Sequence, residues 1–340
     1  MTDKGNPILG TTLYSFTNEW LNRLYDLDGL VAKVAELGLG PAVEVVGFQS
    51  IRSFPDVSPE FASHFRNLLE RYGLVSSCLG ANLDVGIRKD RLMTTEETLD
   101  YITRQIITAQ KLGFPVVRIQ AFAKPTVLDK ILPVAEKAGV HVASELHSPL
   151  TIDNPVVVEL LEYYRKIQSP ALGFIPDFSS TMTAPPEIYW ESLRQAGASA
   201  GLISAVKAIW HTNLPMFEKF SALAEAGREF GANPAVTGQL NTSMTMFGNM
   251  PVDGWRELLP YVRHIHGKFY DVTAEGIEPS IPYPQLMALL KQVGFNGTIS
   301  AEWEGHAFTG ALVGFGDDQC CLAGGCAGVP ETQGFGLTMR

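Results

Sequence analysis

E-K-A-G-V-H-V-A-S-E-L-H, residues 136–147, holds a helix end, a turn and a strand in one short stretch. Gly139 is placed to close the helix in the left-handed conformation that glycine adopts without steric cost. The run that follows is short and largely apolar, as expected for a parallel strand buried on both faces. The same punctuation recurs at A-E-L-G-L around Gly38, E-R-Y-G-L around Gly73, Q-K-L-G-F around Gly113 and K-Q-V-G-F around Gly294. Helix starts are marked by Asp28 before L-V-A-K-V and by Thr94-x-x-Glu97, a capping box ahead of a long amphipathic run.

Working outward from this unit, eight strands are predicted, at 8–15, 42–48, 75–81, 116–122, 141–147, 172–178, 264–270 and 298–304. Helices alternate with them. Eight such units imply an α/β fold, a (β/α)8 TIM barrel spanning 1–340 as a single domain. A doubly wound sheet would be expected to carry G-x-G-x-x-G after its first strand, and none is present. Two stretches interrupt the rhythm. About 85 residues separate strands six and seven, which implies a helical insertion near 181–260 placed over the site. Beyond strand eight, where a closing helix is due, residues 308–340 form an atypical tail rich in Gly and Cys.

Composition narrows the function. The net charge of −10 argues against a nucleic-acid partner and for a small substrate. No apolar run is long enough to span a membrane. The first residues, M-T-D-K-G-N-P, have neither the basic end nor the apolar core of a signal peptide, so a soluble cytoplasmic protein is expected. Of four cysteines, Cys320, Cys321 and Cys326 are bunched without paired C-x-x-C spacing, which suits neither a disulfide framework nor a zinc site.

In a barrel, chemistry collects at the C-terminal ends of the strands. Glu145 and His147 share one face of strand five, because side chains alternate along a strand. Strand six ends in Asp177. His264, His266 and Lys268 share a face of strand seven, and Glu302 and Glu304 share a face of strand eight. Several carboxylates in a low-dielectric cavity repel one another, and a divalent cation is the simplest compensation. Glu145, Asp177, His266 and Glu302 form an oxygen-rich set suited to Mn2+, with Mg2+ or Co2+ as alternatives. His147 is the candidate base. Lys268 either pairs with Asp271 or a core acid or polarises a substrate oxygen. Tyr14, Asn82, Gln120 and Glu304 are placed for sugar contacts. Glu44 and Arg118 are expected to form a buried pair, with His264 structural. Trp190, Trp210 and His211 in the insertion either stack on a substrate ring or pack the insertion.

At these residues the chain resembles the xylose-isomerase-like TIM-barrel superfamily of sugar isomerases and epimerases. The resemblance rests on E-L-H ending strand five, P-D-F ending strand six, H-I-H-G-K on strand seven and S-A-E-W-E on strand eight. It implies a divalent metal, commonly Mn2+, held by Glu145, Asp177, His266 and Glu302. Within the superfamily, E-L-H-S-P, G-F-I-P-D-F-S-S and S-F-T-N-E-W resemble the large subunit of bacterial C-glycoside deglycosidases. That implies cleavage of a 3-oxo sugar from an aromatic aglycone, and a small β-sandwich partner subunit. His147 would remove the C2 proton, and β-elimination would expel the aglycone. The alternative is a metal-dependent sugar isomerase or epimerase. Ketose 3-epimerases, however, carry Asp-x-x-His on strand six, where this chain has Asp177-Phe178-Ser179-Ser180. An apurinic endonuclease would need further histidine ligands on strands three and four, which are absent. A metal-stabilised scaffold without catalysis would have no use for His147 and Lys268 beside the ligand set.

Overall fold

The structure is a computed structural model and describes residues 6–83, 88, 90–120, 123–148 and 150–309. All eight strands form: β1 (Ile8–Thr12), β2 (Ala42–Val46), β3 (Val75–Ala81), β4 (Val116–Ile119), β5 (His141–Leu146), β6 (Leu172–Pro176), β7 (His264–Phe269) and β8 (Thr298–Trp303). They pair in parallel in the order β6-β5-β4-β3-β2-β1-β8-β7. Phe174↔Val262 and Asp177↔His266 bridge β6 to β7, so the sheet curls into a nearly closed (β/α)8 barrel. Most strands end earlier than the sequence pattern predicts. After β1 and β6 the chain tightens into 3-10 turns at Leu13–Phe16 and Phe178–Ser180, which redirect polar side chains over the barrel mouth.

A long helix follows each of the first five strands: α1 (Leu27–Glu36), α2 (Pro59–Arg71), α3 (Thr95–Leu112), α4 (Pro125–Ala138) and α5 (Pro155–Ile167), with short helical turns at Thr17–Leu21 and Gly47–Ser50 besides. The five glycines of the repeated pattern all have positive φ, between 65° and 84°. Thr94 and Glu97 form the capping box ahead of α3. One expectation is corrected. Asp26, not Asp28, caps α1, its carboxylate accepting from the Gly29 N–H at 2.9 Å. Asp28 lies one residue inside the helix and meets His64 at 2.6 Å instead.

The stretch between β6 and β7 holds α6 (Glu187–Gln195), α7 (Ala200–Trp210), α8 (Met216–Glu229) and α9 (Pro234–Met246). Its last turn is tied to the barrel: Gly248 N–H donates to Ser179 O and Met250 N–H to Ser180 O, both at 2.8 Å. After β7, α10 (Tyr283–Gln292) leads to β8. Phe308 packs against Tyr189, Phe247 and Tyr270. Cys320, Cys321, Cys326 and the tail after Thr309 lie outside the described residues.

Inside the barrel, Cys78, Val116, Ala143 and Ile175 make a small apolar cluster with one residue from each of β3 to β6. Its other buried side chains are largely polar, and they belong to the site. Closure depends on Gly173, where an added Cβ would lie 1.8 Å from the Tyr261 carbonyl oxygen. A backbone oxygen cannot rotate away as a side chain can. The Gly173→Ala variant should therefore be destabilised by about 3 kcal/mol, the upper end for overpacking, as read by urea denaturation.

Candidate metal centre and active site

Glu44 sits in A-V-E-V-V, a strand otherwise wholly apolar and buried along its length. A carboxylate there costs several kcal/mol unless it is paired. Its partners come from β7. His264 Nε2 lies 2.9 Å from Glu44 Oε2, and His266 Nε2 lies 3.1 Å from Glu44 Oε1. A carboxylate only accepts, so both ring nitrogens carry the proton. The expected Glu44–Arg118 pair is weaker than these contacts, at 3.9 Å. Arg118 instead donates through Nη1 to Glu145 Oε2 at 2.7 Å. Gly80 leaves the guanidinium its room, since a Cβ there would come within 2.8 Å of Arg118 Nη2.

On its other side His266 looks into the predicted cluster. Nδ1 lies 2.7 Å from Glu145 Oε1, 3.1 Å from Glu302 Oε2 and 3.7 Å from Asp177 Oδ2. Among the described residues, His266 Nδ1, Asp177 Oδ2 and Glu302 Oε2 have no aligned hydrogen-bond partner. Donor atoms from Glu145, Asp177, His266 and Glu302 all fall within 4.8 Å of one another. Metal–oxygen bonds of about 2.1–2.3 Å place donors roughly 3–4.6 Å apart, so the set has about the size a divalent ion needs.

Lys268 closes the cluster. Its ammonium lies 2.6 Å from Glu304 Oε2, 3.0 Å from Glu302 Oε2 and 3.3 Å from Asp177 Oδ2. Lys268 thus pairs with core acids. Asp271 instead accepts the Ile188 N–H at 2.9 Å. Glu304 also accepts from the Tyr14 hydroxyl at 3.1 Å.

The charges do not balance. Among the described residues, Glu44, Glu145, Asp177, Glu302 and Glu304 are buried together with only Arg118 and Lys268 as permanent cations. Even a protonated His266 leaves the group doubly negative, which a divalent cation would neutralise. Local fields show the same tension. Burial opposes ionisation of Glu145, but Arg118 and His266 outweigh it and hold its carboxyl well below the usual range. Lys268 does the same for Asp177 against its burial. Glu302 goes the other way: burial raises it, with Asp177 and Glu304 adding repulsion. A divalent cation bound at this cluster would favour the ionised form of such a carboxyl.

His147 stands at the rim, with 23% of its side chain exposed. Nδ1 faces the Ser148 carbonyl at 3.1 Å, so Nδ1–H donates, and Nε2 is turned toward Asp177 Oδ2 at 3.9 Å. Ser148 is held in turn by donating to Met244 O at 3.2 Å and Phe247 O at 2.9 Å, the end of the insertion.

The remaining predicted residues are less closely joined. Asn82 and Gln120 end neighbouring strands, and Gln120 N–H donates to Ala81 O at 3.4 Å. Asn82 exchanges backbone hydrogen bonds with the Gln105 side chain and leaves its own Oδ1 buried without a partner among the described residues. Gln120 is exposed. Trp190 is buried within the insertion beside Tyr189, Trp210 stacks edge-on to Phe247, and His211 is exposed.

Residues 31–318 match the family described as xylose isomerase-like TIM barrel. A C-glycoside deglycosidase alpha subunit from Arthrobacter globiformis is 40% identical over 320 residues, covering 90% of this chain and 86% of that protein. A 3'-dehydrocarminate deglycosidase alpha subunit from a Microbacterium species is 36% identical over 314 residues, covering 90% of each. Among solved structures, D-psicose 3-epimerase from Clostridium cellulolyticum H10 superposes with a TM-score of 0.54 at 13% identity, over 87% of this chain and 84% of that one. This last likeness is one of fold. No helix among the described residues is long and apolar enough to cross a membrane. The barrel, the buried cluster and these similarities together place the chain in the xylose isomerase-like TIM-barrel family, alongside C-glycoside deglycosidase alpha subunits.

Proposed function

We propose that this chain is the alpha subunit of a C-glycoside deglycosidase, splitting the C–C bond between a 3-oxo sugar and an aromatic aglycone. Relatives so named, at 36–40% identity over 90% of the chain, favour this substrate class. The observation that carries the reading is His147: a partly exposed imidazole held through Nδ1, with Nε2 turned toward a buried anionic cluster that fits a divalent ion.

The proposed chemistry uses the acidity that a carbonyl confers on its neighbour. His147 Nε2 takes the proton from C2, α to the 3-oxo group. The electron pair moves into a C1–C2 double bond as the bond from C1 to the aryl carbon breaks. That carbon keeps the pair and is protonated, leaving an unsaturated keto sugar and a free arene, so one proton leaves C2 and one reaches the ring. A divalent cation held by Glu145, Asp177, His266 and Glu302 would supply Lewis acidity toward the carbonyl oxygen, with Mn2+ the expected ion and Mg2+ or Co2+ alternatives. Arg118 leaves Glu145 Oε1 free for that role by occupying Oε2. Lys268 anchors Glu304, Glu302 and Asp177 and is positioned to offset charge developing on the substrate oxygen. Tyr14 and Glu304, already bonded to each other, and Asn82 and Gln120 on the neighbouring strand ends are the proposed sugar contacts.

An epimerase is the competing reading. Position 180, where that pattern would carry histidine, is a buried serine whose hydroxyl accepts from Trp255 Nε1–H at 3.3 Å, which favours the lyase. The alpha designation of the relatives also supports a second subunit, for which a small β-sandwich is proposed.

The purified chain with its partner should cleave a 3-oxo C-glucoside and leave the unoxidised parent intact, as read by release of the arene. Comparable turnover of the parent would exclude proton abstraction at C2. Solvent deuterium entering the sugar with no arene released would assign an epimerase.

A further inference from the structure

Glu44 lies outside the proposed ligand set, yet it meets the one histidine in that set at 3.1 Å. A neutral imidazole has one N–H and one lone pair, and it can bind a cation only through the lone pair. The two nitrogens of His266 face opposite ways. Nε2 meets Glu44 Oε1 at 3.1 Å, and Nδ1 meets oxygens of Glu145, Glu302 and Asp177 at 2.7, 3.1 and 3.7 Å. Glu44 is itself held in place, because His264 donates to its second oxygen at 2.9 Å.

We infer that Glu44 is the positioning residue of the metal centre: by accepting Nε2–H it fixes the ring orientation and tautomer that aim the Nδ1 lone pair at the ion. This inference rests on the reading of Glu145, Asp177, His266 and Glu302 as ligands. Carboxylates behind ligating histidines act in this way, and their removal typically weakens metal affinity by about 10–100-fold. Glu44 also comes together with Cys78 and His264 as a second set of potential donors. With both of its oxygens already hydrogen-bonded to histidines, Glu44 serves as an acceptor there and not as a ligand.

The test is calorimetric titration of the metal-stripped full chain with Mn2+ alone. The unsubstituted protein should bind one ion per chain. Glu44→Ala should bind it roughly 10–100-fold more weakly. Glu44→Gln should recover part of the affinity, since its amide oxygen can still accept Nε2–H from His266 once His264 shifts its own proton to Nδ1 to meet the amide NH2; Glu44→Met, which keeps the volume without an acceptor, should not recover it, whereas a residue that merely fills space would be rescued by both. If Glu44→Ala does not fold, Glu44→Met keeps the volume, removes the acceptor and carries the same comparison. Unchanged affinity in Glu44→Ala or Glu44→Met, with binding lost in Glu145→Ala, overturns the positioning role while the ligand set stands. A second ion bound by the unsubstituted chain and lost from both Cys78→Ser and Glu44→Ala would make Glu44 a ligand and overturn it too. Absence of Mn2+ binding by the unsubstituted chain removes the ligand reading itself.

Discussion

The His147→Ala variant should keep its Mn2+ content and lose about 10²- to 10⁴-fold in kcat, the usual worth of a positioned general base. The expectation follows from the way the ring is held. Ser148 O takes the Nδ1 proton, and the insertion pins Ser148 through Met244 O and Phe247 O. The imidazole therefore presents Nε2 in one tautomer at the rim, and its removal leaves the four proposed ligands untouched. Exchange of the substrate C2 proton with D2O should fall in parallel, because that step precedes bond cleavage. Nε2 is only 3.9 Å from Asp177 Oδ2, so the measurement has a sharp alternative. If the variant loses its metal, His147 is a ligand and Glu304 is the next candidate base. If it keeps both metal and exchange, His147 is structural.

The Glu145→Ala variant should lose the metal, its activity and the thermal protection that the metal provides. Two effects oppose each other in the metal-free protein. Removing one of five buried carboxylates relieves repulsion, while Arg118 loses its 2.7 Å partner and retains only Glu44 at 3.9 Å. Breaking one side of a buried pair commonly costs about 3–5 kcal/mol, so the metal-free variant should still melt below the metal-free parent. With Mn2+ at a hundredfold excess over Kd, the parent gains about 2.7 kcal/mol, a rise in Tm of roughly 4 °C for a chain of this size. Glu145→Ala should show no such rise. Differential scanning calorimetry with and without EDTA reads both effects, and an equal metal-induced shift in parent and variant would remove Glu145 from the ligand set.

The barrel was legible in the sequence because its signals are local. Gly38, Gly73, Gly113, Gly139 and Gly294 each take positive φ where the chain must leave a helix, and the capping box from Thr94 to Glu97 spans only four residues. The start of α1 was misplaced by two residues because Asp26 and Asp28 are both competent caps, and only the packing of Asp28 against His64 separates them. The convergence of Glu145, Asp177, His266 and Glu302 was also readable, since alternation along a strand and the polarity of a barrel assign a residue to the mouth before any contact is known. The partners were not readable. Glu44 and His264 are 220 residues apart, and Tyr14 and Glu304 are 290 apart. Glu44 announced only that it needed a partner, by being a carboxylate in an apolar strand. Whether Arg118 or the two histidines would answer depended on the register of β2 against β3 and on how far the barrel closes. The fold and the residues that reach the mouth could be read along the chain, because turns, caps and strand faces are set by near neighbours. That Arg118 goes to Glu145, Lys268 to three acids and Glu44 to His264 and His266 emerges only on folding, because a charge inside a barrel interacts by distance, and distance there is set by closure of the whole sheet.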